Sequence, residues 1–228
     1  GDVYKRQLHQ FVVGGRGAHV DRRALQLLAT LSEKDLRDTP SAVLADHLYN
    51  TDKDADAATV LAPRVADEML TPYRSFLQRE IPAADAAAFR RDPQRLVAWC
   101  RDSLTLRPEL CTVSTTISPE GVWRSRTADK PSRAIFFVAA ARSLGIPAWI
   151  DPVTGNLFYR HAGKDVPVDF ESANDRQMET GRLKLRYEPI PRLDDPEYFR
   201  HFTLSRFDGQ SFALLNYPDF EPWSARFD

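Results

Sequence analysis

Cysteine is nearly absent: the 228 residues hold two, Cys100 and Cys111. Two thiols cannot staple a chain of this length. Neither lies in a CxxC pattern and no HExxH occurs, so neither a disulfide framework nor a metal site is expected. The two either pair across the short loop between them or remain buried free thiols. An excess of one charge is also lacking. Lys and Arg number 31 against 32 Asp and Glu, for a formal net charge of −1. General nucleic-acid binders carry a basic excess or stripe, so that class is set aside. No apolar run approaches the ~18 residues that a membrane span requires. The opening twenty residues show neither a long apolar stretch nor a small-residue cleavage site of the secretory kind. Internal repeats and low-complexity tracts are missing too.

What remains is globular in kind. Hydrophobic residues make up 43% and charged residues 28% of the chain, a balance that favours a folded globule over disorder. The length suits one large domain, or one domain and part of another. The opening GDVYKRQ resembles translated sequencing-adapter sequence, and residues 1–17 are expected to be a disordered or artefactual tail. Residues 18–110 read as helical. Leu25, Leu28 and Leu31 recur at helical spacing, and Val43, Leu44 and Leu48 repeat the pattern after Pro40. TDKDADAAT reads as a solvated loop. A helix interrupted at Pro72 is expected over residues 63–81, with short helices over 85–89 and 93–104.

After Pro108 the pattern changes. Residues 113–123 read as extended. Pro131 to Leu144 then reads as a helix apolar on every face, stopped by Gly145 and Pro147. Strands are expected over residues 146–150, and over 157–159 and 166–170 as an antiparallel pair around the turn HAGK. On the last of these Val166, Val168 and Phe170 share a face opposite Pro167 and Asp169. Residues 172–182 read as a polar connection. Short strands follow at 183–187, 202–207 and 211–215, with a turn at Asp208-Gly209. The expected organisation is a helical part at 18–110, a core at 111–178 and a β-strand extension at 179–228 that begins a further domain.

The run SRAIFFVAAARSLGIPAWIDPVTG, followed after a hairpin by VPVDFES, resembles the transglutaminase-like superfamily. SEKDLRDTPSAVLADHL and DPEYFRHFTLSRFDG resemble a bacterial branch of large surface or periplasmic proteins within it. The resemblance implies an α+β fold with the papain-type cysteine-protease core and an antiparallel sheet. It also implies a periplasmic or extracellular location, neighbouring domains in a larger protein, and a protein or glycan ligand. No cofactor, metal, nucleic acid or membrane-spanning segment is expected.

Active members use a Cys–His–Asp triad, with the cysteine at a helix N-terminus where unpaired N–H groups favour a thiolate. Carried over residue by residue, the cysteine position falls on Lys130, or on Ser132 with a two-residue slip. The histidine position falls on Asn156, or on Gly155, and the aspartate position on Asp169. One role of three survives. Ser132 is read as a first-turn capping serine. His161, in RHAGK, is read as a solvent-facing turn residue. Asp169 is read as inward-facing, with an ion pair to Arg133 or Lys130. Cys100 in WCRDSL is read as a core residue of its helix, and Arg142 as structural. His9, His19, His47 and His201 show no partner spacing.

The expectation is therefore a degenerate, non-catalytic domain acting as a binding or structural module. The alternative is an atypical hydrolase or acyltransferase working on amide substrates through Ser132, His161 and Asp169. Trp123, Trp149 and Tyr159 are candidate aromatic liners of a binding cleft, with core packing the preferred reading.

Overall fold

The computed structural model describes residues 2–13, 21–107, 109, 115–171, 184–207 and 211–227. The chain divides into two units. The first comprises Gly1–Ile150 and Leu157–Asn174, and the second Asp151–Asn156 and Asp175–Asp228. The architecture is α+β.

The first unit opens with a correction. Asp2–Val13, expected within a tail, forms helix α1. Leu8, Phe11 and Val12 recur at the i, i+3, i+4 spacing that places side chains on one helix face. That face packs on a small cluster of Ala24, Leu27, Leu44, Leu48 and Leu61. Helix α2 (Arg22–Ala29) starts where Asp21 Oδ1 accepts the N–H groups of Arg23 and Ala24. Helix α3 (Glu33–Asp38) starts where Ser32 Oγ accepts from Asp35 N. Helix α4 (Ser41–Tyr49) follows Pro40 and buries Val43, Leu44, His47 and Leu48.

The loop expected after α4 ends in a π-helical turn, Ala57–Leu61, capped by Asp56. Its last two residues, Val60 and Leu61, are buried. The helix expected from residue 63 starts ten residues later, as α5 (Tyr73–Glu80). Glu68 explains the delay. Its carboxylate accepts Val65 N and Ala66 N, both at 2.7 Å, while Arg64 Nη1 donates to the carbonyls of Ala66 and Glu68. Side chains thus occupy the backbone groups that a helix would pair with each other. Helices α6 (Ala83–Arg91) and α7 (Gln94–Ser103) lie where expected, and a two-residue strand β1 (Thr105–Leu106) follows.

Part of the segment expected to be extended is instead helix α8 (Pro119–Ser125). Ser118 Oγ accepts from Gly121 N, and proline occupies the first turn, a start signal that outweighs the local Thr and Ser content. Residues 113 and 114 of that expectation lie outside the described residues. Strand β2 (Thr127–Ala128) pairs in parallel with β1.

Helix α9 (Lys130–Ser143) is the centre of the unit. Ile135 through Ala141 are each 2% exposed or less. Helices α5, α7 and α8, the π-helical turn and the sheet surround it. It ends as its sequence dictates: Gly145 adopts φ 78° and Ile146 N donates to Ala141 O. Strands β3 (Ala148–Ile150), β4 (Leu157–His161) and β5 (Lys164–Pro167) form an antiparallel sheet in that order. Ala148 is opposite Tyr159, and Tyr159 opposite Val166. The turn at Ala162 and Gly163 has φ 49° and 75°. Val166, Val168 and Phe170 pack on the core as the alternation requires.

In the second unit, β6 (Ser205–Phe207) and β7 (Phe212–Leu214) form a hairpin, whose expected turn at Asp208-Gly209 lies outside the described residues. Of the strand expected at 183–187, residues 184–187 are irregular and Leu183 lies outside the described residues. Tyr198 is fully buried among Phe199, Phe202, Tyr217 and Phe227. Its hydroxyl accepts from Leu204 N and donates to Leu215 O. A short helix α10 (Trp223–Arg226) ends the unit.

Candidate functional site

The N-terminus of α9 is where the sequence places its candidate chemistry. Asp129 caps the helix, with Oδ1 accepting Ser132 N at 2.6 Å. Lys130 is exposed in the first turn. Ser132 is 0% exposed. Its Oγ accepts the N–H of Ile117 at 2.8 Å, so the hydroxyl fastens the 115–118 segment to the helix.

Ser132 makes no hydrogen bond to His161 or Asp169 among the described residues. His161 is exposed at the β4–β5 turn, opposite Lys164 in register. Asn156 belongs to the second unit, where its Oδ1 accepts from Arg206 Nη1 at 3.0 Å. Its backbone closes the turn begun by Asp151, whose Oδ1 accepts Val153 N and Thr154 N.

Asp169 requires a correction: it is exposed, and its Oδ1 accepts the nearby Glu171 N at 2.8 Å. The cause is that side chains keep alternating in the segment leaving β5, which turns Phe170 inward and Asp169 outward. The ion pair expected for Asp169 is made by Glu171, whose Oε1 lies 2.7 Å from Arg133 Nη2. Arg133 also lies over the Phe170 ring, 4.4 Å from its centroid. Asp129 Oδ2, Arg133 Nε and Thr116 Oγ1 are buried without a hydrogen-bond partner among the described residues.

Cys100 is a free thiol buried in the core against α9, and burial pushes its pKa up, so it is held as an unreactive neutral group. Cys111 lies outside the described residues. The three candidate aromatics do not share a cleft wall. Trp123 stacks on Trp99 at 5.2 Å, Trp149 stacks on Phe158 at 5.8 Å, and Tyr159 is a core residue.

Two features escaped the sequence reading. One is a buried cationic centre of His47, Arg74 and Arg142, at 0%, 0% and 4% exposure. Arg74 donates to the carbonyls of Arg142 and Val60, at 2.8 and 2.7 Å. Arg142 donates to Ala62, Arg64 and Ala148, at 2.8, 2.8 and 2.9 Å. His47 Nε2 is 3.1 Å from Thr71 O, and Nδ1 accepts from Arg74 Nε at 3.4 Å. Burial, then the Arg74 charge, push the His47 pKa down to about 3. Burial likewise pushes Arg74 down to about 10. A neutral imidazole beside guanidinium groups already committed to carbonyls is structural rather than catalytic.

The other is a cleft of about 930 Å³ between α3 and the 64–70 segment, reaching Thr115 and Thr116. A smaller cleft of about 570 Å³ shares Ser32 and Arg64 with it. At their junction Arg64 Nε and Nη2 reach both oxygens of Asp35, at 2.7 and 2.5 Å. The S-x-x-D spacing of Ser32 and Asp35 was a readable start signal for α3, but the pairing of Asp35 with Arg64 has no local signature. Thr116 links the cleft to the α9 terminus, because the next residue, Ile117, is the one bound to Ser132. Compared with known proteins, the chain matches no family model, no curated protein and no solved structure.

Proposed function

We propose that the chain is a non-catalytic transglutaminase-like domain, serving as a binding or structural module of a larger extracytoplasmic bacterial protein. One observation carries the reading. At Ser132, where the resemblance puts the nucleophile with a two-residue slip, the hydroxyl is buried and holds the Ile117 N–H. A nucleophile needs a base within hydrogen-bond reach and an open face for substrate. His161 is exposed on a hairpin turn and Asp169 is turned outward onto Glu171 N, which weighs against a relay of Ser132, His161 and Asp169. Lys130 offers a cation at the positive end of a helix, and Cys100 a thiol kept protonated by burial.

The test is incubation of the purified chain with a glutamine-bearing peptide and a primary amine, and separately with activated esters. No turnover above the uncatalysed rate is expected. Turnover that disappears in Ser132→Ala or Cys100→Ala overturns the reading. Ser132→Ala itself should lower stability by about 1 kcal/mol, the net worth of one hydrogen bond to the half-buried Ile117. Urea unfolding measures it.

A further inference from the structure

We infer that Arg133 is a two-position latch: paired with Glu171 it fastens residues 168–171 to the core, and turned to Asp129 it lets them go. The inference is independent of the reading of the chain as a binding module. It starts from two buried atoms at the head of α9 that lack partners among the described residues, Asp129 Oδ2 and Arg133 Nε. The first is a carboxylate acceptor and the second a guanidinium donor. Their residues are 1% and 5% exposed. Buried orphans of opposite kind are costly apart and satisfied together.

The backbone sets the two residues one turn apart. Arg133 N donates to Asp129 O at 2.9 Å. Residues four apart stack on one helix face, and helical side chains lean towards the N-terminus. Arg133 therefore reaches the turn that Asp129 begins by rotating about its own side-chain bonds, with no change of backbone. The cap uses one Asp129 oxygen, Oδ1, which accepts Ser132 N at 2.6 Å and leaves Oδ2 to accept a second donor.

In the structure Arg133 is turned to the other partner. Its Nη2 lies 2.7 Å from Glu171 Oε1, and its guanidinium covers the Phe170 ring at 4.4 Å. Both partners belong to the segment that leaves β5 after Pro167. That segment is also tied by the Val168 N–H, which donates to Leu157 O at 2.9 Å, and by Phe170, which meets Phe137 edge-on at 5.9 Å.

The two positions differ in what each satisfies. The Glu171 side chain is 66% exposed, so water screens its pair with Arg133. Asp129 is enclosed, and an ion pair there is screened far less. The closed position keeps the cation on Phe170 and the segment on the core. The other gives up that contact and pairs both orphans. One guanidinium with two carboxylates, only one of them engaged, has two discrete arrangements, and a switch consists of such a pair.

The test is amide hydrogen exchange of the whole chain by NMR. It is read at Val168, bonded to Leu157 O, with Arg160, bonded to Pro147 O, as internal control. The Arg133 Nε–H signal is followed alongside. Glu171→Gln removes the outer charge and should speed Val168 exchange about five-fold, the worth of one screened pair. The Arg133 Nε–H signal should move downfield as it meets the Asp129 carboxylate. Asp129→Asn keeps the helix cap but presents an N–H₂ donor where Oδ2 stood. It should slow Val168 exchange about three-fold, and in the double variant exchange should fall back from the Glu171→Gln value towards the parent's, a coupling read as a double-mutant cycle. Asp129→Ser, another good cap without a carboxylate, should repeat the asparagine results. Arg160 exchange should stay unchanged throughout.

A stationary ion pair gives a different pattern: no effect of Asp129→Asn or Asp129→Ser at Val168, and a double variant that behaves as Glu171→Gln does. Either result overturns the latch. So does an Arg133 Nε–H signal that stays in place when the Glu171 charge is removed, or an acceleration at Arg160 equal to that at Val168.

Discussion

Acid should destabilise the first unit well before its carboxylates titrate, and His47 is the cause. In the folded chain its pKa is held at about 3, against 6.5 for an unperturbed imidazole. Burial removes water from the ring, and the Arg74 guanidinium beside it makes a second positive charge costly. The unfolded chain therefore takes up a proton near pH 6.5 that the folded chain refuses until about pH 3. Above pH 6.5 the two states bind equal protons at this site and stability is unaffected. As pH falls from 6.5 towards 3, the unfolded state gains about 1.4 kcal/mol per unit.

At pH 5 that amounts to about 2 kcal/mol, a large share of the stability of an ordinary domain. Asp35 acts in a lower window. Burial raises its pKa, but its bonds to Arg64 and Ser32 outweigh that and hold it below 3.8, so its contribution is lost only as pH falls past that value. The assay is urea unfolding at pH 7.5 and pH 5, followed by tryptophan fluorescence, for the parent and for His47→Gln. The glutamine variant lacks the titrating group and should lose about 2 kcal/mol less than the parent across that interval. Parallel losses in the two proteins, or a His47 imidazole that titrates near 6.5 by NMR in the folded state, refute the argument.

Two further substitutions probe the same framework. Arg142→Met strips the carbonyls of Ala62, Arg64 and Ala148 of their donor and should cost about 3–5 kcal/mol in urea unfolding. Arg142→Lys should cost nearly as much, since a single ammonium cannot reproduce a planar fork of five donors; a loss under about 1 kcal/mol in either variant contradicts the role. Asp129→Ala removes the α9 cap and should cost about 1 kcal/mol, read as a lowered unfolding midpoint.

How legible the fold was depended on the range of the forces involved. Helix α9 and the sheet after it were readable because every signal in them is local. Pro131, Gly145 and Pro147 punctuate the helix, an apolar run with no polar face announces full burial, and Ala162-Gly163 closes a hairpin of alternating residues. The readings failed where a side chain from outside the segment, or one acting against local propensity, fixes the backbone. Residues 63–71 carry helical periodicity, yet the Glu68 carboxylate takes the N–H groups of Val65 and Ala66. Residues 119–125 sit in a Thr- and Ser-rich stretch, yet Ser118 with Pro119 starts a helix. The adapter-like opening residues disguise α1 as a tail, although Leu8, Phe11 and Val12 spell an apolar face.

The site was less legible than the fold, for the same reason at longer range. Sequence spacing identified Ser132, Asn156, His161 and Asp169 singly, but a site is a set of distances. Asp169 illustrates the gap: one step of strand alternation turns it outward and leaves Arg133 to Glu171, two residues on. The cationic centre is hidden more deeply, since His47, Arg74 and Arg142 are separated by 27 and 68 positions along the chain. Their grouping follows from a shortage of donors and not from any motif. The π-helical turn ends at Leu61, and its last carbonyls have no N–H ahead of them to accept. Arg74 serves Val60, Arg142 serves Ala62 and Arg64, and Arg74 then serves the carbonyl of Arg142 itself near the end of α9. Two guanidinium groups so placed supply in tertiary structure the hydrogen bonds that another helical turn would have supplied in sequence. Burial first, and then the Arg74 charge, keep His47 neutral, so the acid sensitivity follows from packing an imidazole beside the guanidinium groups that terminate the π-helical turn.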